Sequence, residues 1–445
     1  MGRTRRRRNQ KNNKSVIQCL EHVELCRLLC RLGWNNQAEL RICDFPETGK
    51  GLYSRRHIAI GDTIVRLPFE ALISLKNIEE DQIFKQCFDE QALQELSKGE
   101  IQFQSMLAYY LSYLSLQEVD GGYRAYIYSL PKEFAVPYFC SKQEMAFLPD
   151  TVLKKMVDQN ELIKKNYAKL ESLARKDAKT DISLELFKWA YFVVNTRSVY
   201  LDSIYAKVFI KDKKCMFVEK LSDEPNMALA PLLDFLNHDS SAKTTSQLSV
   251  PYKTVERMLD KNHPVELFYE LISEVPFPAY SQIFISYGVH NNAKLLTEYG
   301  FFLPDNQQDY LEISLDDINA FIKYDPELRP LKIHREKYCF IAEHHLEEQL
   351  FFVPGDVLSH NLAVCLTILF AEQNIYQLRM IAFGEIPSLD PIREIASRLI
   401  NYKLKEYHTF CSGLSKLSDL SPSGRICHAY LDECIKFLNK IRAQL

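Results

Sequence analysis

Two apolar runs, each ending in a compact polar cluster, constrain this chain most: Leu232-Leu233-Asp234-Phe235-Leu236-Asn237-His238 and Ile283-Phe284-Ile285-Ser286-Tyr287-Gly288. Runs of this kind are buried, so they carry polar groups inward. Asn, His and Asp are costly there unless each finds a hydrogen-bond partner or a ligand. The second run delivers a tyrosine hydroxyl in the same way.

The rest of the chain can supply the interior that such runs need, since 445 residues with 47% hydrophobic content suffice for two or three packed domains. The longest apolar stretch, near Leu362 to Ala371, is about ten residues against the roughly 20 required to cross a bilayer, so no membrane partner is expected. The start, Met1-Gly2-Arg3-Thr4-Arg5-Arg6, lacks an apolar signal core, and Arg6 stands where a myristoylation signal needs Ser or Thr. Neither secretion nor a lipid anchor is expected. Twelve cysteines with no C-x-x-C pair argue against a disulfide framework and against a zinc ribbon, and point to a reducing compartment. Cys26 and Cys30, at i, i+4 spacing, are expected on the core face of a helix as small hydrophobes.

Net charge is only −3, yet the first fourteen residues hold Arg3, Arg5, Arg6, Arg7, Arg8, Lys11 and Lys14 without an acid. Such an arm is expected to be unfolded. It reads as an import signal, as a nucleic-acid contact that attracts phosphates without sequence preference, or as a solvated tail. With the arm as an import signal, the expected location is nucleus and cytoplasm.

Residues 15 to 35 carry helix-period apolar positions (Val16, Ile17, Leu20, Val23, Leu25, Leu28, Leu29) that stop at Gly33. From Glu39 to Ser74, β-rich segments are punctuated by Gly49, Gly51, Gly61-Asp62 and Pro68, which predicts a small hairpin unit. Residues 76 to 196 change to long helical patterns, notably Ile101 to Leu116 and Leu153 to Ala178. Strand signals return from Ala206 to Phe217 and from Met227 to Phe302; Tyr310 to Cys339 is mixed, and Glu343 to Leu445 is strongly helical. There is no internal repeat.

Taken singly, the chemistry-bearing motifs have ordinary readings. Gly49-x-Gly51 marks a turn, or a place where backbone approaches a ligand, and it lacks the spacing of a phosphate loop. Asn237-His238 reads as a helix cap with a surface histidine, or as a binding pair. Arg197 closes the run Trp189-Ala190-Tyr191-Phe192-Val193-Val194, either solvated at a helix end or turned into a pocket, where a guanidinium forks to a carboxylate or to carbonyls.

Four motifs nevertheless stand in chain order: Gly49-Lys50-Gly51-Leu52-Tyr53, Asn195-Thr196-Arg197-Ser198-Val199-Tyr200-Leu201, Asp234-Phe235-Leu236-Asn237-His238, and Ile285-Ser286-Tyr287-Gly288 with Glu298-Tyr299-Gly300-Phe301. Together they resemble the SET-domain protein-lysine methyltransferases, in the Rubisco large-subunit methyltransferase class, over roughly residues 40 to 440. The resemblance implies an α+β fold: a β-rich knotted SET domain interrupted by a helical insertion and followed by an all-helical C-terminal domain. On that reading residues 1–14 are the basic arm, 15–75 the leading helix and first SET strands, 76–196 the insertion, 197–305 the second SET half, and 306–445 the helical substrate-binding domain.

The resemblance also implies S-adenosylmethionine as cofactor, held by Lys50, Gly51, Leu52, Asn237, His238 and Tyr287, with Tyr287 catalytic. It implies a protein substrate, histone or non-histone, met by Arg197, Asp234, Tyr299 and Phe301. Arg197 would grip either the cofactor tail or the substrate peptide. Asp234 would orient the incoming ammonium or a neighbouring loop, and Phe301 is a channel wall or plain core. The C-terminal domain receives substrate or is a structural layer. No metal is implied, because residues 303 to 340 contain only Cys339, too few for the zinc segment of many histone-directed members. A monomer is expected.

Methyl transfer to an amine is an in-line displacement in a site that excludes water, and the amine must be neutral to attack. Lysine titrates near about 10.4 in water, and a desolvating aromatic channel lowers that value. The chain departs from the family where Pro278-Ala279-Tyr280-Ser281-Gln282 replaces a Lys-Gly-Glu-Glu type turn and loses its glycine, and at Val265 to Val275, which is long and apolar for the preceding hairpin. The competing readings are a non-catalytic SET-fold module that binds peptide or chromatin, and a histidine methyltransferase.

Overall fold

The computed structural model describes residues 15–16, 20–117, 123–175, 181–211, 214–370, 375–384, 390 and 392–445; the basic arm lies outside them. The chain divides into two compact units, residues 1–133 with 161–289 and residues 134–160 with 290–445. These boundaries differ from the expected domains: residues 134–160, expected in the insertion, group with the C-terminal unit, which begins at 290 and not at 306.

The first unit is built on a five-stranded sheet, β1 (Ser15–Val16), β2 (Leu40–Phe45), β3 (Gly49–Ser54), β10 (Gln282–Ile285) and β7 (Asn237–His238), in that spatial order. β2 and β3 form the expected hairpin, pairing Leu40 with Ser54 through Phe45 with Gly49. Its turn closes at Gly49, whose φ of +69° is a left-handed value that glycine adopts without steric cost. β10 comes last in the chain yet lies between β3 and β7, antiparallel to the first and parallel to the second. A second sheet joins β4 (Thr63–Pro68), β9 (Phe268–Ser273) and β8 (Thr244–Leu248), and a third pairs β5 (Ser198–Tyr200) with β6 (Met227–Leu229).

The helical insertion packs α2 (Phe103–Leu116) on α5 (Leu184–Arg197), while α3 (Arg124–Ser129) packs on the leading helix α1 (Leu20–Arg31). The fourth labelled helix, α4, covers Asp150–Leu173. Phe84, Phe88, Tyr109, Tyr110, Tyr113 and Phe217 form an aromatic cluster with ring centroids about 5–6 Å apart, which fixes the insertion through edge-to-face and tilted contacts.

Three local expectations change. The leading helix begins at Leu20, and Ser15–Val16 instead pair with Asp44 and Cys43 at the sheet edge. Its buried face is His22, Leu25, Leu28 and Leu29, so Val23 is exposed, Cys26 is half-buried and Cys30 faces solvent. Among the described residues of 206–217 there is no strand. Asp202 caps a helix over Ser203–Val208, and the buried Glu79 carboxylate accepts the backbone N–H groups of Met216, Phe217 and Val218 at 2.8–3.0 Å. A side chain thus satisfies this backbone in place of a strand ladder.

The second unit is helical apart from a small sheet of β11 (Leu311–Glu312), β12 (Phe351–Val353) and β13 (Val357–Leu358). Its apolar core gathers α6 (Leu315–Tyr324), α7 (His360–Phe370), α8 (Arg393–Ser415) and α9 (Pro422–Arg442). The N-terminus of α9 is pinned by Glu144, whose carboxylate accepts from Ser421 N–H at 2.7 Å, Ser421 Oγ at 2.9 Å and Ser141 N–H at 2.6 Å.

Candidate active site

The order β3-β10-β7 is what assembles the site. β10 pairs Ile283 with Leu52 on one side and aligns Phe284 with Asn237 and Ile285 with His238 on the other. Residues 50–52, 237–238 and 287, far apart in sequence, therefore meet at one end of one sheet. The Asn237 side-chain amide donates to Lys50 O at 2.9 Å and so ties β7 to β3.

Gly51 lies within β3 and not in the turn. A Cβ there would stand 2.7 Å from Gln282 Nε2, 2.9 Å from Asn237 Nδ2 and 3.0 Å from Phe45 Cδ2. The absence of a side chain at 51 is thus the condition for Asn237 and Gln282 to approach β3, a stricter use of glycine than a turn makes. Leu52 is wholly buried beside it, and Lys50 is exposed.

Tyr287 is tethered by the segment Leu236–His238. Its hydroxyl donates to Leu236 O at 2.7 Å, its backbone N–H donates to His238 Nδ1 at 3.1 Å, and its ring stacks on the His238 imidazole with centroids 5.1 Å apart. With the phenolic hydrogen committed to Leu236 O, what the oxygen offers a further neighbour is a lone pair.

Arg197, the last residue of α5, turns into the protein. Its Nη1 donates to Asp234 O at 2.9 Å and lies 3.3 Å from Asp234 Oδ2, while its guanidinium sits over the Phe235 ring. Tyr126 donates its hydroxyl to the same Oδ2 at 3.1 Å. The Asp234 side chain is only 1% exposed, and its other oxygen, Oδ1, has no hydrogen-bond partner among the described residues. Burial raises the Asp234 carboxyl above its ordinary range against the opposing pull of Arg197 and Tyr126. Burial, reinforced by the Asp234 charge, pushes the Tyr126 hydroxyl far up as well.

Just before this pair, Leu232 takes φ +74° and ψ −45° while 2% exposed, a strained conformation for a side chain with a Cβ. Ser198 Oγ, next to Arg197 in the chain, is a second buried polar atom without a partner among the described residues. Asp234 therefore meets Arg197 and Tyr126 rather than the surface, in a buried ion pair whose second oxygen has no partner among the described residues.

Tyr299 and Phe301 belong to the second unit. Tyr299 ends a π-helical turn over Leu295–Tyr299, and its ring lies 6.2 Å from His290 and 6.2 Å from Phe301. Gly300 follows at φ +79°, where a Cβ would meet the backbone of Ala135 and Val136 at 3.1–3.2 Å. Burial raises the Tyr299 hydroxyl, with Glu298 adding to it.

Three contributors escaped the sequence. Tyr126 stands in the helical insertion with no motif around it, Gln282 is one polar residue in a turn, and Leu236 acts through its carbonyl, which every residue possesses.

No family model matches the chain. SET domain-containing protein 4 of Artemia parthenogenetica is 26% identical over 299 residues, 67% of each chain. The mouse protein of the same name is 24% identical over 441 residues, 94% of this chain and 90% of its own. Among solved structures, the SET domain of LSMT bound to lysine and AdoHcy superposes with a TM-score of 0.58 at 17% identity, covering 95% of this chain and 90% of that one. The chain is thus related to SET domain-containing protein 4 and has the fold of the LSMT SET structures.

Proposed function

We propose that the chain is an S-adenosylmethionine-dependent protein-lysine N-methyltransferase. The observation that carries this reading is the insertion of β10 between β3 and β7, which gathers Gly51, Asn237, His238 and Tyr287 into one bonded cluster. The likeness to a SET domain that binds lysine and AdoHcy supports it.

The donor set suits such a cofactor. The exposed Lys50 and the side-chain-free Gly51 present backbone, Asn237 presents a carboxamide held in place by Lys50 O, and Asp234 Oδ1 and Ser198 Oγ are buried polar atoms still open to a partner. Lys50, Gly51, Leu52, Asn237 and the backbone of His238 would hold the cofactor. When bound, it supplies an electrophilic methyl group on a sulfonium. Tyr287 contributes an oriented oxygen whose lone pair faces positive charge without needing to exchange a proton. The buried Arg197–Asp234–Tyr126 trio keeps the wall behind Leu236 rigid, so that the carbonyl anchoring Tyr287 stays in register. Tyr299 and Phe301 are the aromatic residues we assign to the substrate lysine, which must lose water, and with it its proton, before attack.

The substrate we propose is a lysine of a histone or another protein. With the arginine arm acting as an import signal or a nucleic-acid contact, the chain would work as a monomer in nucleus and cytoplasm. Loss of nuclear signal on deleting residues 1–14 supports the import role, and unchanged localisation removes it.

The decisive experiment is transfer of labelled methyl from S-adenosylmethionine into histones and cell lysate, comparing the native chain with Tyr287→Phe and Asn237→Ala. We expect label on lysine, lost in Asn237→Ala and reduced roughly a hundredfold in Tyr287→Phe. No label beside active control enzymes, together with no calorimetric binding of S-adenosylhomocysteine, turns the reading to a peptide-binding module. Label on histidine keeps the fold and overturns lysine.

A further inference from the structure

The His238 imidazole faces Tyr287 in two ways: its Nδ1 accepts the Tyr287 backbone N–H at 3.1 Å, and its ring lies against the tyrosine ring at 27°. A backbone N–H can only donate, so Nδ1 carries a lone pair and the imidazole at this contact is neutral. His238 is 5% exposed, and its strand is held in place by β10, where Asp239 N–H donates to Ile285 O at 3.0 Å. Tyr287 follows β10 after one exposed residue, Ser286, and precedes Gly288 at φ +123°. Leu236 holds it at the hydroxyl and His238 at the backbone.

We infer that the His238 imidazole is a positioning group for Tyr287, acting through the Nδ1 lone pair on the tyrosine backbone and not as a side-chain ligand of the cofactor. The inference rests on the methyltransferase reading above and deepens it. Of the two contacts, the acceptor sets the height of the Tyr287 backbone, and with it where the hydroxyl stands over Leu236 O. The ring stack alone leaves the tyrosine room to slide. Cofactor affinity is then carried by other atoms, and loss of the imidazole acceptor acts on turnover.

Two variants of the full chain separate acceptor from ring. His238→Asn places a carboxamide oxygen at the position of Nδ1 and removes the ring, whereas His238→Phe keeps the ring and removes the acceptor. We expect His238→Phe to lower kcat roughly a hundredfold, the usual consequence of a misplacement near 1 Å. His238→Asn should recover at least about tenfold of that loss, and in both variants the fall should lie in kcat rather than in S-adenosylhomocysteine affinity read by calorimetry. An active His238→Phe, an equal fall in both variants, or a loss that lies wholly in cofactor affinity overturns the inference.

Nitrogen NMR of the full chain labelled with 15N-histidine reads the contact without relying on any variant's folding. The inference requires an unprotonated Nδ1 and a protonated Nε2 on His238, and a proton on Nδ1 overturns it. A native chain that transfers no methyl counts against the enzyme reading, while the nitrogen spectrum still decides whether the imidazole holds Tyr287.

Discussion

Asp234 in the first unit and Glu144 in the second are both buried carboxylates that anchor backbone, and they differ in how completely they are answered. Glu144 collects three hydrogen bonds from Ser141 and Ser421 and sits so close to α9 that a Cβ on Gly424 would collide with Oε1. Asp234 shares Oδ2 between Arg197 and Tyr126 and leaves Oδ1 with no partner among the described residues. Their titrations move in opposite senses. Burial alone would raise Glu144, but the Ser141 and Ser421 donors outweigh it and hold the carboxyl low; burial wins at Asp234 and holds it high. A carboxylate whose oxygens are all answered is a structural clamp. One left half-answered beside a strained backbone, here Leu232, keeps an acceptor that no described residue uses.

The largest expected effect comes from breaking the complete member. Glu144→Gln puts an amide hydrogen where a backbone or hydroxyl donor points and should destabilise the second unit by about 3 kcal/mol, read as a lower urea midpoint. A loss below about 0.5 kcal/mol would show that α9 does not depend on the clamp. The pH sense follows from the lowered carboxyl: its stability is present above the ordinary 4.5 and disappears as pH falls through the folded value. The variant should therefore lose most near neutral pH and little in acid.

Asp234→Asn should cost less, about 1 kcal/mol, because Asn still accepts from Arg197 and Tyr126 with one oxygen, and the other oxygen had no bond to lose. The sign with pH is reversed. A raised carboxyl stabilises the fold fully below the ordinary 3.8, and that contribution is lost as pH rises through the folded value. Relative to the native chain, Asp234→Asn should look worst in acid and best near neutrality. Parallel pH profiles for the two variants would dissolve the comparison.

Asp309 sharpens it. This carboxylate accepts from Asn292 N–H, Asn292 Nδ2 and Tyr310 N–H, yet burial carries it to about 6, with Glu433 adding to the rise. Counting hydrogen bonds is therefore not enough: Glu144 has donors that outweigh its burial, and Asp309 does not. Its stabilising contribution, full below the ordinary 3.8, is lost as pH rises through about 6. We expect the native melting temperature to drop by about 2–4 °C across that window, an effect of about 1 kcal/mol, and to stay flatter in Asp309→Asn.

These contrasts also mark what the sequence could disclose. Asn237, His238 and Tyr287 were legible because each polar group follows an apolar run, and the conflict between burial and polarity is written locally. Gly51 was legible as a close approach, although the atoms that approach it, Asn237 and Gln282, come from strands nearly two hundred residues or more away. The partners were hidden. Tyr126 answers Asp234 across 108 residues and Ser421 answers Glu144 across 277, and neither residue differs from its neighbours in any pattern of period or charge. Residues 206–217 read as strand for the same reason, since their apolar pattern was visible and the Glu79 carboxylate that accepts the N–H groups of Met216 and Phe217 was not.

Strain divides along the same line, and it yields the smallest effect. Leu232 holds its left-handed φ in the buried site, whereas Tyr280 holds φ +66° in the exposed turn over residues 278–282. Tyr280 is 52% exposed, its N–H donates to Ser54 O at 2.7 Å, and its ring lies 6.2 Å from Tyr53, a contact too slight to repay the backbone. A residue with a Cβ gives up roughly 1 kcal/mol in that conformation, which asparagine bears more easily. Tyr280→Asn should stabilise the first unit by about 0.5 kcal/mol with methyl transfer unchanged. Tyr280→Val, β-branched where φ is positive, should destabilise it by about 1 kcal/mol. If Tyr280→Asn instead lowers both stability and transfer, the exposed turn shares the site's strain, and the line between a structural and a functional use of it falls elsewhere.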